Sequence, residues 1–130
     1  MQLYLVRHAK AERGEPDDLR RLTPDGRAAA RDLGRRLAAE GVAPDAVLSS
    51  PLLRARETAE EIARATGAEV EPVDVLAPGA TVEDVTRAVS GRGETVVVVG
   101  HQPDCGQIAA ALTGEEEPPF PTAGLAVIEL

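Results

Sequence analysis

Leu3-Tyr4-Leu5-Val6-Arg7-His8-Ala9 runs apolar for four residues and then stops at a cation and an imidazole. Such a run, ahead of a loop bearing Gly14 and Pro16, predicts a buried parallel strand rather than a helix. In an open α/β sheet the carboxyl ends of such strands form the edge where ligands bind. The second histidine has the same setting, in Thr95-Val96-Val97-Val98-Val99-Gly100-His101. The chain holds only two histidines, and each follows directly on a predicted strand. Both imidazoles are therefore expected at one edge of one sheet.

Between these strands the pattern changes period. Thr23-Pro24-Asp25 opens a helix, with Thr23 as N-cap, Pro24 at the first helical position and Asp25 at the positive end. Ala29, Leu33 and Leu37 recur at helical spacing and are expected to form its buried stripe, with Gly41 as its stop. Ala46-Val47-Leu48 reads as a short strand, and Ser50-Pro51 as the cap and start of a second helix. Ala55, Ala59 and Ile62 form that helix's inner face, and Gly67 closes it. Glu69-Val70-Glu71-Pro72 fits a short edge strand, and 72–80 reads as an irregular loop. Thr81 caps a third helix with Val82, Val85 and Val89 inward. Val96–Val99, apolar throughout, is expected at the centre of the sheet. Gln102-Pro103 starts a fourth helix with Ile108, Ala111 and Leu112 inward. Glu115-Glu116-Glu117-Pro118-Pro119 reads as a solvated loop, and Leu125-Ala126-Val127-Ile128 as a last strand. Strands alternating with helices predict an α/β fold, a three-layer sandwich with a mostly parallel central sheet and helices on both faces.

Composition narrows the function classes. The 130 residues suffice for one domain, 1–130. A formal charge of −8 argues against a nucleic-acid partner, which needs a basic surface. The longest apolar stretches have strand length, so no membrane span is expected, and no leader is evident ahead of Leu3. A lone Cys105 cannot form an internal disulfide, which fits a reducing, cytoplasmic setting. Asp104 and Cys105 beside His101 match no zinc spacing, and an arginine-rich pocket repels a cation, so neither a metal nor another cofactor is expected.

The candidate chemistry is anion binding. On the helix after Ser50, Arg54 lies about one turn in, and helical side chains lean toward the N-terminus. Arg54 can therefore reach the edge carrying His8 and His101. Arg56 points about 200° away and is expected on the surface. Arg7, Arg54, two imidazoles and the N–H groups of the helix starting near Pro103 would together hold a phosphate. Ser50, Thr58 and Thr23 read as caps or helix-surface hydroxyls rather than catalysts.

Arg7-His8-Ala9, the Ser-Pro-x-x-Arg-Ala-x-x-Thr pattern at 50–58 and Gly100-His101 resemble the histidine phosphatase, or phosphoglycerate-mutase-like, superfamily. Leu22-Thr23-x-x-Gly26, Phe120-Pro121-Thr122-Ala123-Gly124 and the short length are similar to its SixA-type phosphohistidine phosphatases. The resemblance implies that His8 accepts the phosphoryl group, that Arg7 and Arg54 clamp its oxygens, and that His101 stabilises their charge. This is covalent catalysis with electrostatic clamping, without a metal. A nucleophilic imidazole must be neutral; neighbouring arginines are expected to lower its pKa, and its second nitrogen to donate to a backbone carbonyl. Asp17 and Arg20 match an Asp-x-x-Arg segment of the SixA type and are read as substrate-binding residues at the rim.

One departure bears on substrate. The carboxylate with which larger members protonate the leaving group lies in a long insertion, and none is present between Pro72 and Val82. An ester needs that proton more than a phosphohistidine does. The implied activity is a metal-independent protein phosphohistidine phosphatase, a hydrolase acting on a phosphorylated protein. A phosphomonoesterase for small phosphate compounds and a non-catalytic phosphate-binding module are the competing readings.

Overall fold

The two periods of the sequence resolve into a five-stranded sheet covered on both faces in a computed structural model, which describes residues 1–130. The strands are β1 (Gln2–Arg7), β2 (Ala46–Ser49), β3 (Val70–Pro72), β4 (Thr95–Gly100) and β5 (Leu125–Glu129). The helices are α1 (Pro24–Ala39), α2 (Leu53–Thr66), α3 (Val82–Val89) and α4 (Asp104–Thr113). The order across the sheet is β3-β2-β4-β1-β5, which places the all-valine run at the centre. All neighbours pair in parallel except β5, which lies antiparallel to β1 at an edge.

Alternation along each strand decides which helices cover which face. Leu3, Leu5, Leu48, Val96 and Val98 point to the side of α3 and α4 and pack with Val85, Val89, Ile108 and Ala109. Tyr4, Val6, Val47, Val97 and Val99 point the other way and pack with Leu33, Leu37, Ala55, Ala59 and Ile62 of α1 and α2. Each fully buried Leu, Val or Ile contributes roughly 1.5–3 kcal/mol of transfer free energy. Gly34 lets α1 lie directly on α2: a Cβ there would sit 2.8 Å from the Glu61 carbonyl oxygen. No helix is long and apolar enough to cross a membrane.

Several local expectations shift. In α1 the buried alanine is Ala30, and Ala29 is exposed; Gly26, Leu33, Gly34 and Leu37 complete the stripe. In α4 the buried alanine is Ala109, and Ala111 is exposed. Val82 is half-buried, whereas Val85 and Val89 are sealed. The 72–80 segment contains a 3-10 turn, Asp74–Leu76, that buries Leu76 in the α3–α4 layer. The cap of α2 is Leu52, not Ser50, because Ser50 Oγ accepts the Leu52 N–H and holds the chain in one further turn before the helix begins.

The register places the ends of three strands level. Arg7 pairs with Gly100, and Ser49 with Val99. The next N–H on each strand still donates across the sheet, His8 to Gly100 O and Ser50 to Val99 O, both at 3.0 Å. After β1 the chain leaves to α1 on one face, and after β4 it leaves to α4 on the other. The two strands thus diverge at their carboxyl ends and open the crevice expected at a topological switch point.

Candidate active site

His8 is the first residue past β1, and its backbone is held on both sides. Its N–H donates to Gly100 O, and its carbonyl accepts the Ala123 N–H at 3.2 Å. Its ring Nδ1–H donates to Ala9 O at 2.7 Å, the carbonyl partner anticipated for it. A carbonyl can only accept, so Nδ1 carries the proton and Nε2 is left with its lone pair. Ala123, which braces His8, has a left-handed φ of 59°, rare for a residue with a Cβ.

Arg7 is turned back onto the closing loop, with Nη1 donating to Phe120 O at 2.9 Å. Arg54 arrives from the first turn of α2 and is only 6% exposed. Its Nη1 donates to the Asp17 carbonyl at 2.9 Å, and its Nη2 meets Asp17 Oδ2 at 3.3 Å. The Nε atoms of Arg7 and Arg54 are sealed with no protein acceptor. Arg20 donates from Nε to Asp17 Oδ1 at 3.0 Å and from Nη1 to Glu12 O at 3.1 Å.

His101 is the first residue past β4 and is 4% exposed. Its ring centroid lies 5.2 Å from that of His8, with the planes tilted by 58°. Its Nε2 meets Ser50 Oγ at 2.7 Å. Around the two rings lies a cleft of about 360 Å³, walled by Arg7, His8, Lys10, Ala11, Arg20, Arg54, Pro78, His101, Gln102 and Thr122. Of the residues expected at the site, Arg7, His8, Arg20, Arg54 and His101 meet on this wall. Asp17 stands outside the lining and bridges Arg54 to Arg20.

Electrostatics keep both rings neutral. The His8 pKa is lowered to about 4, first by burial, then by Arg54, Arg7 and Arg20, with the bond to Ala9 opposing. Burial thus outweighs the arginines to which the sequence pointed. His101 is lowered to about 3 by burial, then by His8 and Arg54. The Arg54 guanidinium holds the Asp17 carboxyl below its usual range. Burial pushes the Cys105 thiol up to about 12, so it remains a protonated, inert side chain. No three His, Cys, Asp or Glu side chains converge in a way that could hold a metal ion.

Other expectations change here. Two N–H groups in the first turn of α4 are taken up within the chain: Cys105 N–H donates to His101 O and Gly106 N–H to Gln102 Oε1. Thr58 is not a surface hydroxyl but fully buried, accepting from Ala9 N–H and donating to Arg54 O. Arg56 is half-buried rather than on the surface, with its Nε sealed. The structure adds Lys10, Gln102 and Thr122 to the cleft wall and Ser50 as a support of His101. For Ser50 a signal existed: it follows β2 as His8 and His101 follow their strands.

The histidine phosphatase superfamily (branch 1) matches over residues 3–77. The phosphohistidine phosphatase SixA of Escherichia coli K12 is 34% identical over 140 residues, covering 100% of this chain and 86% of its own. An uncharacterised protein of a Picosynechococcus species is 37% identical over 121 residues, covering 86% of this chain and 73% of its own. Among solved structures, the protein histidine phosphatase SixA complexed with tungstate superposes with a TM-score of 0.91 at 32% identity. That match covers 100% of this chain and 88% of the other. A putative SixA from Agrobacterium tumefaciens superposes at 0.85 and 33% identity, covering 97% and 89%. Paired strand-end histidines, a fold shared from end to end and a family match over residues 3–77 lead to one conclusion: this chain belongs to the histidine phosphatase superfamily, branch 1, and is a homologue of SixA.

Proposed function

We propose that residues 1–130 act as one protein phosphohistidine phosphatase unit, in which the phosphoryl group passes through His8. The Nε2 lone pair of His8 attacks phosphorus; the P–Nε2 bond forms as the P–N bond of the substrate breaks. The substrate imidazole leaves neutral if its other nitrogen is already protonated. Water then attacks phosphorus, the P–Nε2 bond breaks, the water proton stays with the products, and His8 is restored with inorganic phosphate released. Arg7 and Arg54 clamp the phosphoryl oxygens, His101 donates to them, and Arg20 stands at the rim with Asp17 behind it. Burial and fixed donors make this electrostatic stabilisation stronger than in water.

The observation that carries the reading is the make-up of the wall: four cations, two neutral imidazoles and no carboxylate. The carboxylate beside it, Asp17, is engaged by Arg54 and Arg20. An alkoxide leaving group has no acid there, whereas a phosphoramidate nitrogen does not need one. The names of the homologous SixA proteins point the same way. An open cleft on a chain with short loops suits a protruding phosphorylated side chain of a protein, in a reducing compartment such as the cytoplasm.

The test is hydrolysis of a phosphohistidine-bearing protein beside an alkyl phosphate ester, in EDTA, with wild type and His8→Ala. Fast, EDTA-resistant, His8-dependent turnover of phosphohistidine with poor ester turnover is expected. Preference for the ester would make the chain a small-molecule phosphatase. Activity surviving His8→Ala would exclude the covalent route, and inactivity on both would leave a phosphate-binding module.

A further inference from the structure

Ser50 is fully buried, yet its hydroxyl meets the Nε2 of His101 at 2.7 Å. The hydrogens around that hydroxyl can be counted. Its oxygen accepts the Leu52 N–H at 3.2 Å. Its own proton has one acceptor in reach, the Nε2 of His101. A hydroxyl sealed from water with an unused proton is unfavourable, so that proton goes to the ring. Nε2 is then the bare nitrogen of His101, and the proton of the neutral imidazole sits on Nδ1. His101 Nδ1 has no protein partner and is not among the sealed unpartnered atoms, so it opens onto the cleft that His101 lines.

The two histidines are thereby complementary. Both carry the proton on Nδ1, but His8 turns it inward to Ala9 O and shows the cleft a lone pair. His101 turns its bare nitrogen inward to Ser50 and shows the cleft an N–H. We propose that Ser50 is a positioning residue that fixes His101 in the Nδ1–H tautomer and so makes it a hydrogen-bond donor to the transferring phosphoryl group. The role in transfer rests on the phosphatase reading; the tautomer does not. A partner on the far nitrogen of an imidazole sets both its proton and its orientation.

The test is ¹⁵N spectroscopy of the histidine rings in the full chain near neutral pH, assigned with His8→Ala, since there are only two histidines. Wild type is expected to show His101 protonated at Nδ1 and bare at Nε2. Ser50→Ala is expected to lose that fixed tautomer and to lower kcat on a phosphohistidine protein about tenfold to a hundredfold, the loss usual when an orienting partner of a functional imidazole is removed. KM should move less than kcat. Ser49→Ala removes an equally buried hydroxyl, one that donates to Ser50 O at 3.0 Å, and is expected to leave the His101 tautomer unchanged. A proton on Nε2 in wild type, or a tautomer that Ser50→Ala does not move, overturns the proposal. The wild-type spectrum stands even if Ser50→Ala fails to fold, and it needs no substrate. An inactive wild type with His101 protonated at Nδ1 would count against the phosphatase reading and support the positioning of His101.

Discussion

The backbone N–H of Ala9 donates to Thr58 Oγ1 at 3.0 Å, and both residues are sealed from solvent. The Thr58 hydroxyl passes its proton on to Arg54 O at 2.8 Å. One side chain therefore ties the segment holding the His8 ring to the helical turn carrying Arg54. Spacing explains why: Thr58 is four residues after Arg54, on the same helix face. Thr58→Val keeps the shape and removes the acceptor, leaving the Ala9 N–H buried and unpaired. A buried donor without a partner costs about 1–3 kcal/mol. The urea midpoint should fall accordingly, and an unchanged midpoint would show that water or a backbone shift takes up the N–H.

The depressed pKa values give a second expectation. In the folded chain His8 titrates near 4 and His101 near 3, against 6.5 for the free side chain. Between those values the unfolded chain binds more protons than the folded one. The contribution of these residues to stability is therefore complete above about pH 6.5 and is lost as pH falls toward 4 and 3. Ring C–H resonances give the midpoints directly, because the chain has two histidines. A midpoint near 6.5 for either ring would contradict the burial that sets the shift.

Much of this arrangement is legible in the residues. Strand-length apolar runs ending in His8 and His101 put both rings at one edge, and a helix following Ala46–Leu48 brought Arg54 to them. Alanine runs were less informative. Ala28-Ala29-Ala30 and Ala109-Ala110-Ala111 carry no contrast between inside and outside, so the buried member is set by tertiary packing, Ala30 against Ala9 and Leu22 and Ala109 in the layer of Ile108. Ser50-Pro51 imitates the Thr23-Pro24 cap in sequence, but its hydroxyl serves the turn and His101 instead. Lys10, Gln102 and Thr122 reach the cleft from loops, whose paths follow no period.

Gly26 sets the approach of α1 to the loop behind His8. A Cβ there would lie 2.1 Å from Lys10 O, a backbone atom that cannot swing away. Alanine is the better helix former by about 1 kcal/mol. Overpacking against fixed backbone costs about 1–3 kcal/mol and, at so short a distance, is taken at its upper end. The clash wins: Gly26→Ala is expected to lower stability by about 1–2 kcal/mol, read from urea unfolding. A gain in stability would mean that the 10–22 loop yields at little cost.

Arg54→Lys separates charge from geometry. The guanidinium spans two acceptors of Asp17, its carbonyl and Oδ2, from a site 6% exposed, and keeps a sealed Nε. A lysine ammonium retains the charge but is a single point that cannot present a planar pair of donors to a phosphoryl group. If Arg54 clamps the transferring oxygens, its replacement should lower kcat/KM about 10²–10³-fold, the loss that follows removal of one preorganised donor. Arg56→Lys, two residues on and outside the cleft wall, serves as the control and should remain within about twofold of wild type, as expected for a group that touches no reacting atom. Equal effects of the two substitutions would assign Arg54 to the general field of the pocket rather than to a directed contact.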